Sequence, residues 1–142
     1  GPGYAYQIFD KYQLYFPEEL KKFKFRNDWT EVCVPGYLQL KYQSDLLVIT
    51  KAYKDVMCLD AFGYEAIAPR GENILVPELC MAKMRRKYKR IVILFDNDMK
   101  HKGDEYPEEK VYVPAGDKDP TDFCKHHGKQ ATAEMLRQII RP

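Results

Sequence analysis

The chain has 142 residues, enough for one compact domain with its own core and too few for two. Its hydrophobic share of 45% and charged share of 31% are ordinary for a globular protein, and a formal net charge of +2 gives no sign of a polyanion partner for the chain as a whole. No apolar run is long enough to cross a bilayer and no signal peptide is visible, which argues against a membrane protein and predicts a cytoplasmic one.

The first third of the sequence has no clear periodicity. Residues 1–3 are interpreted as the remnant of a cleaved tag, and residues 4–44 as a lead-in from a preceding subdomain, with a short helix at 18–23 and a strand near 31–35. The basic residues within 21–26 alternate with aromatic ones, which suits a nucleic-acid contact or, equally, a solvated face.

From residue 45 onward, strand and helix patterns alternate. Strands are predicted at 46–50, 64–68, 91–95 and 111–113, and helices at 55–62, 77–88 and 121–140, the last broken near Gly128. The segment 99–109 is too short for a full helix, so it is expected to be a loop or a single turn. This alternation predicts an α/β fold with a mostly parallel four-stranded sheet flanked by helices.

Acidic residues follow the predicted strands, where open parallel sheets bind their ligands. Asp96 and Asp98 follow the third strand; Asp117, Asp119 and Asp122 follow the fourth. Because strand side chains alternate, an Asp-x-Asp pair at a strand end sends both carboxylates to one side. Hard oxygen ligands with few Cys or His nearby favour Mg²⁺ or Mn²⁺. The alternative is a pair of aspartates that caps the turn after the strand.

Three segments of the sequence resemble the motifs of one family. Residues 46–55 (LLVITKAYKD), 90–98 (RIVILFDND) and 118–123 (KDPTDF) are similar in order and context to the three motifs of the Toprim domain in bacterial- and phage-type DNA primases, in a phage or mobile-element variant. The resemblance covers roughly residues 45–140, and 45–142 are assigned to this domain. It implies a Toprim-like, Rossmann-like fold.

The resemblance also implies site residues. Asp96 and Asp98 would be the metal-binding pair, and Asp119 and Asp122, with Asp117, the last acidic cluster. A further residue, Asp55, would match the acidic residue of the first motif, although a carboxylate there also suits a helix cap. Lysines next to the motifs are candidates for contacts with phosphate or nucleic acid: Lys51, Lys54, Lys100, Lys102 and Lys118.

One position departs from the family pattern. The family has a glutamate followed by glycine after the first strand, whereas this sequence has Lys51 and Ala52. The ammonium of Lys51 would replace the metal by pairing with Asp96 or Asp98, contact a phosphate beside a retained metal, or point outward without a role. Lys51, Asp96 and Asp98 are therefore the candidate catalytic residues, and Lys51 puts the activity in doubt.

The function implied by the resemblance is metal-dependent nucleotidyl transfer for RNA primer synthesis in DNA replication, in a bacterial or phage-infected cell. The implied partners are a single-stranded DNA template, nucleoside triphosphates and other domains of a larger replication protein, with a helicase among the options. Two alternatives stay open: a non-catalytic Toprim module that binds nucleic acid or a replication partner, and a Toprim nuclease.

Overall fold

In the part of the chain that the structure describes, the sheet contains four strands that all run parallel. A computed structural model describes residues 34–71 and 73–141, apart from the side chains of 99–101. The helix predicted at 18–23 and the first three residues of the strand predicted near 31–35 lie outside the described residues, and residues 34–35 form a bend and a turn. The strands are β1 (Leu46–Thr50), β2 (Glu65–Ile67), β3 (Arg90–Leu94) and β4 (Glu109–Lys110), in the order β2-β1-β3-β4. The predicted parallel α/β architecture is confirmed.

The helices lie where the sequence pattern predicts them. They are α1 (Tyr53–Ala61), α2 (Glu78–Lys87), the single turn α3 (Lys100–Gly103) and α4 (Pro120–Ile139). Gly128 adopts φ 88° and ψ 174° inside α4, which breaks the helix near the predicted point. Within the described residues, no helix combines the length and the apolar character that a bilayer crossing requires.

Each face of the sheet has its own apolar layer. Leu47 and Ile49 of β1 pack with residues of α2, whereas Val48 and the β3 residues Val92 and Leu94 pack with residues of α1 and α4. Because both faces are covered, the central strands have continuous apolar runs instead of alternating ones. Helices α1 and α4 therefore share one face of the sheet, which brings their N-termini to the same edge.

Gly36 holds the loop before β1 against β2. Pro35 accepts a hydrogen bond from the N–H of Ala68 at 3.0 Å, and Gly36 has φ 89°. A Cβ at Gly36 would lie 2.4 Å from the carbonyl oxygen of Ala66 and 2.8 Å from a methyl group of Val56. Only glycine fits this approach.

We expect Gly36→Ala to lower the free energy of unfolding by about 3 kcal/mol, roughly 1 from the positive φ and 2 from the clash. Gly63→Ala is the matched control, because Gly63 has φ 88° but nothing within 4 Å of an added Cβ. Urea unfolding of the two variants separates the effects. Equal losses in both would show that the loop is not packed against β2.

Candidate metal centre at the carboxyl edge of the sheet

Three buried carboxylates meet at the edge of the sheet where the parallel strands end. Asp55, Asp96 and Asp119 each offer an oxygen atom within 4.8 Å of the others. Their exposed fractions are 0%, 3% and 0%. We call these residues the acidic triad. Carboxylates at such distances repel one another strongly in a buried site unless a proton or a cation lies among them.

Each member of the acidic triad comes from a different connection. Asp55 lies in the first turn of α1, after β1; Asp96 follows β3. The third member, Asp119, is the residue that caps α4. Strand alternation accounts for part of this placement, because Val92 and Leu94 pack on the α1–α4 face and Asp96 continues the same alternate positions.

The carboxylates of Asp55 and Asp119 both accept hydrogen bonds from residues at the N-terminus of α4. Asp119 accepts a hydrogen bond from the backbone N–H of Asp122 at 2.8 Å. Asp55 accepts two from Thr121, the backbone N–H at 3.2 Å and the hydroxyl at 2.6 Å. The N-cap of α1 itself is Ala52, which makes no side-chain cap bond. Asp55 therefore satisfies a free N–H of the neighbouring helix α4 instead of its own.

Burial and mutual repulsion change the acidity of the acidic triad. Burial, followed by repulsion from Asp119, raises the pKa of Asp55 from 3.8 to about 7. The same two causes raise the pKa of Asp96 above its ordinary value, against the opposing effect of Lys51. At neutral pH the metal-free cluster consequently holds a proton more readily than isolated aspartates do.

Three lysines reach the acidic triad. The Nζ of Lys51 lies 3.4 Å from Asp96 Oδ2, and the Nζ of Lys54 lies 2.9 Å from Asp119 Oδ2. The Nζ of Lys118 lies 3.9 Å from one carboxylate oxygen of Asp96 and also of Asp98. Lys51 is the most buried of the three, with 14% of its side chain exposed against 39% and 45%.

Several oxygen atoms at this edge lack a hydrogen bond. Thr50 Oγ1, Asp55 Oδ2 and Asp96 Oδ1 are buried and have no hydrogen-bond partner among the described residues. Such atoms are costly to bury unless something else satisfies them. Hydroxyl oxygens and carboxylate oxygens are the hard ligands that Mg²⁺ and Mn²⁺ prefer. The residues present therefore fit a hard divalent cation.

The other aspartates predicted for the site lie outside the acidic triad. Asp98 is exposed over 62% of its side chain, and Asp122 is half-buried in the first turn of α4. Asp117 is buried, and its carboxylate contacts the ring nitrogens of His126 and His127, the latter at 2.9 Å. The hydrogen bond with His126 is the main cause that lowers the pKa of Asp117.

Lys102, one of the lysines predicted to bind phosphate, forms no ion pair with the acidic triad within the described residues. Lys102 is half-buried in α3, and the side chain of Lys100 lies outside the described part.

Two threonines belong to the site although they are not among the predicted site residues. Thr50 ends β1, and Thr121 follows Pro120 at the start of α4. A threonine at the last position of a buried strand is the sequence signal for the first.

Comparisons with known proteins place the fold. Six chains of solved structures match, among them the RNA polymerase domain of the primase DnaG from Mycobacterium tuberculosis, with a TM-score of 0.52 and 20% sequence identity. The match covers 66% of this chain and 36% of that one. No protein-family model and no curated protein matches the sequence. The likeness shows the fold, an α/β, Rossmann-like arrangement around a parallel sheet, which is consistent with the predicted Toprim fold.

Proposed function

We propose that residues 45–142 form the catalytic Toprim-type domain of a DNA primase, which joins ribonucleotides on a single-stranded template with Mg²⁺ or Mn²⁺. The observation that carries the proposal is the acidic triad, three buried carboxylates within 4.8 Å at the carboxyl edge of the sheet. The fold shared with the RNA polymerase domain of a primase supports it. Residues 4–44 would connect this domain to a preceding subdomain.

Each group at the carboxyl edge of the sheet has a role in such a reaction. Asp55, Asp96 and Asp119 would hold the cation, which supplies charge stabilisation for the phosphates of the triphosphate. The lysines around the acidic triad would hold phosphate oxygens. Lys54 is suited to this, because the hydrogen bond with Asp119 raises its pKa although burial acts to lower it. It therefore stays cationic at neutral pH.

One contact favours a second candidate, a non-catalytic module that binds nucleic acid or a replication partner. The ammonium of Lys51 lies 3.4 Å from Asp96 Oδ2, where it neutralises part of the charge that a metal would neutralise. A protonated lysine cannot ligate a metal, so a permanent Lys51–Asp96 pair would compete with cation binding. The two candidates differ in whether a divalent cation displaces this pair.

Calorimetric titration with Mn²⁺ tests the first proposal. We expect the unmodified protein to bind Mn²⁺, and Asp96→Asn to weaken binding at least about tenfold because a charged ligand is lost. Asp98→Asn is the matched control: it makes the same chemical change two residues away on an exposed side chain, and it should leave binding nearly unchanged. No binding at millimolar Mn²⁺ in the unmodified protein would favour the non-catalytic module.

A second assay distinguishes the reactions. Nucleotide binding that Mg²⁺ strengthens, with this gain in affinity lost in Asp96→Asn, supports primase chemistry. Cleavage of DNA in the absence of nucleotide would identify a nuclease instead. The Asp98→Asn variant again serves as the control for both readouts, since its net charge equals that of Asp96→Asn.

A further inference from the structure

A cavity of about 300 Å³ lies between α1 and α4, beside the acidic triad but separate from it. Met57, Ala61 and Phe62 provide apolar walls, and Cys58 and Cys124 line it from the two helices. Burial raises the pKa of the Cys58 thiol to about 12, so this group stays uncharged at neutral pH. The volume is at the small end of the range for ligand pockets, which suits one base or a similar ring.

Three lysines border the same cavity: Lys54, Lys125 and Lys129. Lys54 forms the ion pair with Asp119, whereas Lys125 and Lys129 form no ion pair with any residue that the structure describes. Both are exposed. An apolar pocket with uncompensated ammonium groups at its mouth is complementary to a ligand that has a flat apolar part and an anionic part.

The cavity is connected to the acidic triad through shared residues. Lys54 lines the cavity and contacts Asp119 at 2.9 Å. Thr121 lines it as well, and its N–H and hydroxyl both donate to Asp55. An anion held at the mouth of the cavity would therefore lie next to the edge where the carboxylates meet.

We infer that this cavity binds one nucleotide unit, with the base against Met57, Ala61 and Phe62 and the phosphate at Lys54, Lys125 and Lys129. The aromatic ring of Phe62 offers the stacking surface that bases use without sequence preference. The unit comes either from a free nucleoside triphosphate or from a nucleic-acid strand, because both present a base and a phosphate. The inference does not require a metal in the acidic triad.

Two variants test the phosphate contact and the base contact separately. Lys125→Gln/Lys129→Gln removes two cations from exposed positions. Ala61→Leu fills the apolar part of the cavity, at an exposed helical position where leucine is a favourable residue. The control for charge is Lys87→Gln/Lys89→Gln, which makes the same change on exposed residues around the end of α2, away from the cavity. Urea unfolding verifies that all of them fold.

Calorimetry with ATP and, separately, with a short oligo-deoxythymidine gives the readout, in EDTA so that no divalent cation contributes. We expect at least one of these probes to bind, and each of the two cavity variants to weaken it about tenfold or more. The Lys87→Gln/Lys89→Gln control is expected to bind as the unmodified protein does. Whichever probe binds more tightly identifies the source of the nucleotide unit.

The inference is overturned if neither probe binds at millimolar concentration, or if binding is the same in the cavity variants and the control. It is also overturned if inorganic triphosphate binds as tightly as ATP while Ala61→Leu has no effect, since the base would then contribute nothing. Asp96→Asn distinguishes a failure of this inference from a failure of the primase proposal. That variant should lose Mn²⁺ binding but keep binding of the probe in EDTA.

Discussion

In EDTA at about pH 8, Asp55→Asn is expected to raise the free energy of unfolding by up to about 4 kcal/mol. The pKa of Asp55 lies at about 7 in the folded protein, above its ordinary value of 3.8. The folded state therefore holds this proton more tightly than the unfolded state does. Stability from Asp55 is fully present below about pH 4, falls as the pH rises toward 7, and stays low above it.

Asparagine suits this position. Its Oδ1 can accept both hydrogen bonds from Thr121, and its NH₂ replaces the Asp55 oxygen that has no hydrogen-bond partner. Asparagine carries no charge to be repelled by Asp119. Urea unfolding in EDTA across about pH 4 to 8 measures the difference between variant and unmodified protein, which isolates Asp55 from other titrating groups. The two should converge at the acidic end.

The exposed Asp98→Asn serves as the control and is expected to change stability little at any pH. Adding Mg²⁺ or Mn²⁺ at about a hundred times its dissociation constant should stabilise the unmodified protein by about 2.7 kcal/mol and Asp55→Asn by less. A larger free energy of unfolding for unmodified protein than for Asp55→Asn at about pH 8 in EDTA would contradict the prediction, because it would mean that the carboxylate is not penalised there.

Much of the fold was predictable because its central strands are buried on both faces. The continuous β-branched runs at 46–50 and 91–95 leave few alternatives to a parallel sheet. The last strand was less predictable. It was expected at 111–113 but lies at Glu109–Lys110, where only two residues pair with β3, although Val111 still donates to Ile93 at 2.9 Å. A two-residue edge strand of charged residues has no apolar pattern.

Which three aspartates form the acidic triad could not be predicted from local sequence patterns, because it depends on how distant segments pack together. The Asp-x-Asp argument relied on strand alternation, but β3 ends at Leu94 and Asn97–Met99 forms a 3₁₀ turn, so the alternation does not extend to Asp98. Asp55 joins Asp119 only because α1 and α4 pack on the same face of the sheet. This is a contact between residues more than sixty positions apart, with Thr121 as the bonded partner.

Lys51→Met is expected to lower the free energy of unfolding in EDTA by about 4 kcal/mol at about pH 8, because it leaves the buried Asp96 without its nearest ammonium. The Lys51 side chain is 14% exposed and that of Asp96 5%. Lys118→Met is the matched control. Its Nζ lies 3.9 Å from the same Asp96 oxygen but its side chain is 45% exposed, so we expect a loss of about 1 kcal/mol or less.

The responses of the unmodified protein and of Lys51→Met to metal together decide between the two candidate functions. If a cation shares the acidic triad with Lys51, the variant has lost a competing positive charge, and Mn²⁺ should bind about tenfold more tightly and restore most of the lost stability. If Lys51 takes the place of a cation, Mn²⁺ up to millimolar concentration should leave the unmodified protein as stable as it is in EDTA, and only Lys51→Met should respond to the metal. Because Asp55 and Asp119 remain in both cases, only the occupant of the acidic triad differs between the two outcomes.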